Sequence, residues 1–200
     1  NEFLNRKNIV YNNKDDFYRM EYTMVNTFND SLGLNYKGVT TFLSTFDTNV
    51  MNFMKNNGYS YKTNHITNNN NNTIIMDSLL GVKRIYTPKD YSTIYKKIDE
   101  YQCSTINGIF YELGKTKCDI YDNKNALNFG YMINYDEKRY LKEINSNKTN
   151  VFENQNSLLN NMLNKDEKYF KSYKMKPIKI DKYKYKLNDE NTIYLYMYVY

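Results

Sequence analysis

The order of apolar and polar positions predicts a chain that alternates between strands and helices. Tyr18, Met20, Tyr22 and Met24 alternate with Phe17, Arg19, Glu21 and Thr23. A period of two marks a half-buried strand and sets Arg19 and Glu21 on one face. Beyond Gly33 and Gly38, the extended run Val39 to Leu43 leads to Ser44, a candidate helix cap with Asp47 at the third helical position. Phe46, Val50, Phe53 and Met54 then form a core-facing stripe, and Asn57-Gly58 supplies a left-handed stop, so a helix is predicted over 45–57.

Downstream, the Asn68 to Asn72 run reads as a polar loop, and Thr73 to Met76 restarts an extended pattern. Asp77 to Lys83 reads as a turn entering a buried strand with Ile85, Tyr86 and Pro88. Tyr91, Ile94, Tyr95, Ile98 and Tyr101 fit a helical stripe, although a strand pattern competes. Asn107-Gly108 and Leu113-Gly114 mark turns, and Cys118 to Tyr121 a returning strand. A second helix is predicted over 155–171, capped by Asn154 or Asn156, with Leu158, Leu159, Met162, Leu163 and Phe170 on its apolar stripe and Pro177 barring its continuation. Tyr183, Tyr185 and Leu187, then Ile193, Leu195, Met197 and Val199, alternate around a polar turn as a hairpin.

These elements predict an α+β fold: a largely antiparallel sheet with two or three packed helices. Residues 1–176 form the expected domain, and the hairpin in 177–200 either completes it or opens a further β-rich region.

Composition narrows the class of protein. With 23 Tyr and 10 Phe among 200 residues, the chain carries more aromatic surface than a solvated tail needs. No segment approaches the ~20 apolar residues of a membrane span. The chain reads as a soluble piece of a longer protein, starting at Asn1 without Met and stopping at Tyr200 inside an apparent strand. Nine lysines between Lys165 and Lys186, against Asp166, Glu167 and Asp181, account for the whole net charge of +6. Tyrosines interleave with these lysines, but no nucleic-acid-binding module accompanies them, so a solvated face or a face for an anionic partner is the reading. The single histidine, His65, stands apart from the two cysteines, and neither a metal-ligand spacing nor a Gly-rich phosphate loop is present. No cofactor is expected. Folding about a turn near Gly114 would set Cys118 opposite a residue near Tyr111, so Cys103 and Cys118 are expected to stay unbridged.

Several words of the chain, taken in order, resemble the soluble region of the YfhO family of multi-spanning bacterial membrane proteins. They are Tyr18-Arg19-Met20-Glu21; Gly38-Val39 with Phe42-Leu43-Ser44-Thr45; and Asp77-Ser78-Leu79-Leu80-Gly81-Val82-Lys83. Tyr121 to Leu127 with Phe129-Gly130-Tyr131, and Phe152 to Asn156, complete the set. The chain departs from the family pattern at Asn128, where proline is usual, at Arg84, where an aromatic is usual, and at Ser44-Thr45, where the family has paired serines.

The resemblance implies a parent similar to a polyprenyl-phosphate-sugar-dependent glycosyltransferase that decorates cell-surface polymers such as lipoteichoic acid. This region would lie on the extracytoplasmic face of the cell membrane. The resemblance puts the catalytic carboxylate near membrane spans, so no catalytic residue is assigned in this chain. Arg19, Glu21, Asp77, Lys83, Asn123 and Asn125 match family words and are candidate binding residues, with strand pairing, capping and turn closure as alternative roles. Lys182, Lys184 and Lys186 are candidates for contact with an anionic cell-surface polymer or membrane surface. The other expected partner is the transmembrane part of the same chain. An extracellular carbohydrate-binding or adhesin module, its tyrosines stacking on sugars, is the alternative function.

Overall fold

The structure, a computed structural model, describes residues 17–24, 27–59, 65–69, 73–107, 112–128, 150–171, 178–181 and 184–186. In chain order its elements are β1 (Arg19–Tyr22), α1 (Asp30–Leu34), β2 (Thr41–Phe42), α2 (Thr48–Asn56), β3 (Ile66–Thr67), α3 (Ile74–Leu79), β4 (Val82–Thr87), β5 (Lys96–Asn107), β6 (Glu112–Asp122), α4 (Val151–Leu163), β7 (Ile178–Asp181) and β8 (Lys184–Lys186). The fold is α+β, as the pattern predicts. The main sheet has the order β1-β4-β6-β5; β2-β3 and β7-β8 form two small ribbons. Within the main sheet β1 runs parallel to β4, whereas the β4-β6 and β5-β6 pairs are antiparallel.

Both faces of this sheet are covered. On one, Val82, Ile85 and Tyr121 pack with Met54, Tyr59, Met76 and Tyr95, against partly buried Phe53 of α2, Ile74 and Leu79 of α3, and Leu158 of α4. On the other, Met20, Tyr22, Tyr86 and Ile120 are buried with Tyr18, Tyr36 and Tyr101 packed on them. The alternation read from β1 thus corresponds to a real division: Met20 and Tyr22 face one core, and Glu21 turns to the opposite side.

Element boundaries depart from the sequence reading for identifiable reasons. Helix α2 is capped by Asp47, whose carboxylate accepts from the Asn49 and Val50 amides at 2.8 and 3.1 Å, so Ser44 lies outside it. Helix α4 starts four residues before the expected 155, with Asn150 as its cap, and stops at Asn164 in the left-handed conformation. Asn154 and Asn156 are helical residues instead. Asn154 donates to the Asn56 carbonyl at 2.6 Å, and Asn156 exchanges two bonds with the Phe170 backbone. Phe170 lies beyond the helix, its ring 5.2 Å from Phe152. The Thr73 to Met76 segment, read as extended, enters α3 because the Thr73 hydroxyl caps it. Only Tyr91 to Tyr95 turns like a helix, and from Lys96 the competing strand pattern prevails. The β8 strand pairs with β7, and the Ile193 to Val199 run expected as the other arm of the hairpin lies outside the described residues.

The largest correction concerns the cysteines: Cys103 and Cys118 form a disulfide. Gly114 lies inside β6 opposite Thr105, and the chain reverses between Asn107 and Glu112. That register pairs Cys103 with Thr116 and Cys118 with Tyr101. The cysteines are therefore diagonal neighbours on one face, with Cα atoms 5.8 Å apart, inside the span a disulfide bridges.

Candidate functional site

Four of the family-like words, far apart in sequence, meet beside α3. Arg19 opens β1 and donates its guanidinium to the Leu80 carbonyl at 2.5 Å, while its backbone N–H donates to Gly81 at 2.9 Å. One residue thus supplies two donors to the chain leaving α3, where helical carbonyls lack partners. Gly81 has φ +68°, and a Cβ there would sit 2.9 Å from the Leu127 carbonyl oxygen. Both the backbone conformation and the close approach require glycine.

The Asn-x-x-Ala-Leu word closes onto the same turn. Asn123, buried, donates its side-chain amide to the Val82 carbonyl at 3.1 Å and to the Ser78 hydroxyl at 3.3 Å. Its backbone N–H reaches the Lys83 carbonyl at 2.8 Å, and its Oδ1 accepts from the Asn125 amide at 3.0 Å. The Leu127 N–H returns to the Ser78 carbonyl at 2.9 Å. Asn123 is thereby a turn-closing residue, and Asn125 stands exposed beside it.

Beneath these turns lies a buried polar centre holding two carboxylates. Glu21 is 1% exposed. It accepts from the Val39 amide, from the Thr40 amide at 3.0 Å and from the Thr40 hydroxyl at 3.0 Å. Asp77 is fully buried on α3 and accepts from the Tyr95 hydroxyl at 2.6 Å and the Asn69 side-chain amide at 3.1 Å. Asn69 also donates its backbone N–H to the Thr40 hydroxyl at 3.1 Å. A continuous hydrogen-bonded path therefore runs Glu21, Thr40, Asn69, Asp77, Tyr95. Gly38 admits this packing, because a Cβ there would meet Ser31 Cβ at 3.0 Å and Glu21 Oε1 at 3.4 Å.

Electrostatics in the centre are set by burial. Desolvation pushes the Glu21 carboxyl up to about 7; its three hydrogen bonds pull the other way, and the negative charge of Asp77 adds a further upward push. Tyr59 points its hydroxyl into the same region. Burial, then the charges of Asp77 and Glu21, hold the phenol well above its ordinary value, with Arg19 opposing. That hydroxyl has no hydrogen-bond partner among the described residues, and Tyr59 is only 4% exposed.

The sequence candidates thus separate. Arg19, Glu21, Asp77 and Asn123 come together in the buried centre and its roof. Lys83 is half-buried on β4 with its ammonium 5.2 Å from the Tyr18 ring. Arg84 pairs with Asp122, the residue opposite it on β6. Lys184 and Lys186 lie on β8, and Lys182 is outside the described residues. Thr40, Tyr59, Asn69 and Tyr95 belong to the centre without being candidate site residues in the sequence, where Tyr95 reads only as part of an apolar stripe. Asn69 sits within the run read as a polar loop, and no local pattern signals its bond to a carboxylate eight positions away.

Chemically, both carboxylates are engaged by donors, which suits them to hold segments together. Among the described residues no group of three or more His, Cys, Asp or Glu could hold a metal ion. His65 is exposed, its ring 6.4 Å from Phe42.

Compared with known families, residues 2–194 match the family described as bacterial membrane protein YfhO. Neither a curated protein nor a solved structure matches the chain.

Proposed function

The chain belongs to the YfhO family of bacterial membrane proteins, and from that premise we propose that it is the extracytoplasmic, non-catalytic region of a multi-spanning protein. The parent resembles a polyprenyl-phosphate-sugar-dependent glycosyltransferase that modifies cell-surface polymers such as lipoteichoic acid. The Cys103–Cys118 disulfide is the observation that carries the location. Disulfides persist in oxidising compartments and are rare in the reducing cytosol. No helix among the described residues is long and apolar enough to cross a membrane, so in this reading the spans lie elsewhere in the parent.

The fragment's part in this reading is binding. Its charge supports that: the net +6 is confined to Lys165 through Lys186, and anionic polymers or lipid headgroups attract such a segment at ~1 kcal/mol per lysine near the surface. The sugar donor's lipid would be held by spans, which is why chemistry is assigned outside this chain.

Two measurements test the reading. On intact cells making the full-length parent, a membrane-impermeant maleimide should label Lys124→Cys, an exposed turn position, in a Cys103→Ala/Cys118→Ala background. Protection in intact cells with labelling only after lysis would overturn the extracytoplasmic assignment. In parallel, cells lacking the parent should lose sugar from lipoteichoic acid. Unchanged polymer sugar together with sugar binding by the fragment would favour the adhesin reading instead.

A further inference from the structure

The Phe152 to Asn156 word lies on the first half of α4 and ties that helix to the body. Asn154 donates to the Asn56 carbonyl at 2.6 Å, and Gln155, 1% exposed, donates to the Asn57 carbonyl at 2.9 Å. Both carbonyls belong to the end of α2, where helical acceptors lack partners. Gln155 Oε1 also accepts from the Thr73 hydroxyl, the cap of α3, at 2.8 Å.

Toward its C-terminal end α4 holds the chain that follows it. Asn156 and Asn160, one turn apart on one face, each present a side-chain amide to a backbone as a neighbouring strand would. Asn156 donates to the Phe170 carbonyl at 2.9 Å and accepts the Phe170 N–H at 2.8 Å. Asn160 does the same with Glu167, at 2.7 and 3.0 Å, and its backbone carbonyl accepts the Lys165 N–H at 3.0 Å. A lysine follows each fixed point: Lys165 after the Asn164 cap, Lys168 after Glu167 and Lys171 after Phe170, all three exposed. Two positions before Lys165, the last residue of the helix, Leu163, is 49% exposed.

Building on the anionic-partner reading of the lysine segment, we propose that this end of the molecule docks on anionic lipid headgroups of the parent's own membrane. Lys165, Lys168 and Lys171 meet headgroup phosphates, Leu163 enters the interface, and Asn156 and Asn160 are the positioning residues that hold the row.

Charge alone would suit a soluble polyanion equally well. The bare Leu163 would not, because its burial is favourable only against an apolar layer, along which lysine stems lie with their ammonium groups at headgroup level. In this reading the parent's spans keep the chain beside a membrane, and tethering raises the effective concentration of headgroups, so weak contacts suffice. Asp166 and Glu167 are the opposing charges in the segment. Glu167 pairs with Lys165 at 3.3 Å, but both side chains are 54% exposed, and a surface pair of that kind contributes little and yields to a phosphate.

The test is sedimentation of the chain with phosphatidylglycerol-containing vesicles, with pure phosphatidylcholine vesicles and long-chain inorganic polyphosphate as comparisons. Wild type should bind the anionic vesicles at low salt, lose affinity as salt rises, and bind the neutral vesicles poorly. At about fivefold per lysine, Lys165→Gln/Lys168→Gln/Lys171→Gln should lower the affinity by about a hundredfold. Leu163→Ser should lower it severalfold. Asn156→Ala/Asn160→Ala keeps every charge, so its salt dependence should match wild type while its affinity falls severalfold and amide protection is lost at Glu167 and Phe170. Should that pair not fold, Asn160→Ala alone gives the same comparison at Glu167. Lost protection with unchanged affinity would overturn the positioning role. Unchanged affinity in the lysine triple variant or in Leu163→Ser would overturn this docking surface and leave the anionic-partner reading to the lysines further along the chain. Binding of polyphosphate through the three lysines without binding of vesicles would overturn the lipid assignment. Binding of neither would overturn the anionic-partner reading together with the surface.

Discussion

Removing the disulfide should do more than lower stability; it should unravel one identifiable part of the sheet. Strand β4 pairs with β6 only from Asp119 to Asp122, whereas β5 pairs with β6 as far as Asn107 and Glu112. From Cys118 back to Glu112, β6 has β5 as its only partner among the described strands, so this stretch is a two-stranded overhang. Such ribbons are marginal in water. The bridge sits at its root, adjacent to the last residue of β6 that β4 holds, with both cysteines buried at 2% and 1% exposure. The loop it closes spans 15 residues. Loop-closure entropy for that length gives about 3 kcal/mol. Cys103→Ala/Cys118→Ala should therefore lose about 3 kcal/mol in urea unfolding, with exchange protection lost first at residues 104–107 and 112–116. Protection at Val82 to Thr87 should persist under native conditions. Two free thiols in the unreduced, denatured wild type, or a stability change under about 1 kcal/mol, would refute the reasoning.

Other perturbations probe separate joints. Gly81→Ala should cost roughly 2 kcal/mol or more by combining a left-handed backbone with the Leu127 contact, whereas Gly33→Ala, at an exposed position of helix α1, should be neutral or stabilise by up to ~1 kcal/mol; urea midpoints compare them. Asp47→Ala should cost ~1 kcal/mol of stability through loss of the α2 cap, read by thermal unfolding. Because Glu21 is raised to about 7 from an ordinary 4.5, its stabilising contribution is complete below about 4.5 and fades as pH rises through 7. That amounts to roughly 3 kcal/mol, and Glu21→Gln should flatten the corresponding fall in melting temperature between pH 4.5 and 7.5. Lys182→Glu/Lys184→Glu/Lys186→Glu should abolish low-salt binding to lipoteichoic acid or anionic vesicles, and wild-type binding should weaken with salt; unchanged affinity in the triple variant would leave these lysines a solvated face.

What could be read from the sequence follows the range of the forces involved. Strand β1 was legible because its side chains alternate between the two sides of the sheet, and α2 because its Asn57-Gly58 stop is local. Gly58 does take φ 96°. Helix α3 was not legible, since Ile74 and Ile75 favour strands by local preference, while the Thr73 cap and burial of Met76 and Asp77 favour helix. The cysteine pairing failed on register alone. Glycine inside a strand resembles a turn glycine, and the displaced turn moved every cross-strand partner. In the site, Arg19, Glu21, Asp77 and Asn123 were legible as words but not as neighbours. Thr40, Tyr59, Asn69 and Tyr95 carried no signal of a polar role, because those roles arise from contacts that exist only after β1, α3 and β5 are assembled.

Four residues of the family-like words are committed to hydrogen bonds within the chain, and this bears on where a ligand can bind. Arg19 is committed to Leu80, Asn123 to Val82 and Ser78, Asp77 to Tyr95 and Asn69, and Glu21 to Val39 and Thr40. A ligand reaching these groups would have to break bonds whose loss leaves buried polar atoms unpaired, at ~1–3 kcal/mol each. Surface chemistry therefore falls to other residues: Lys83 beside Tyr18, exposed Asn125, and the lysine-rich segment after α4. On this division Arg19, Glu21, Asp77 and Asn123 serve the scaffold. Arg84, for its part, is engaged by Asp122, which stands opposite it in register.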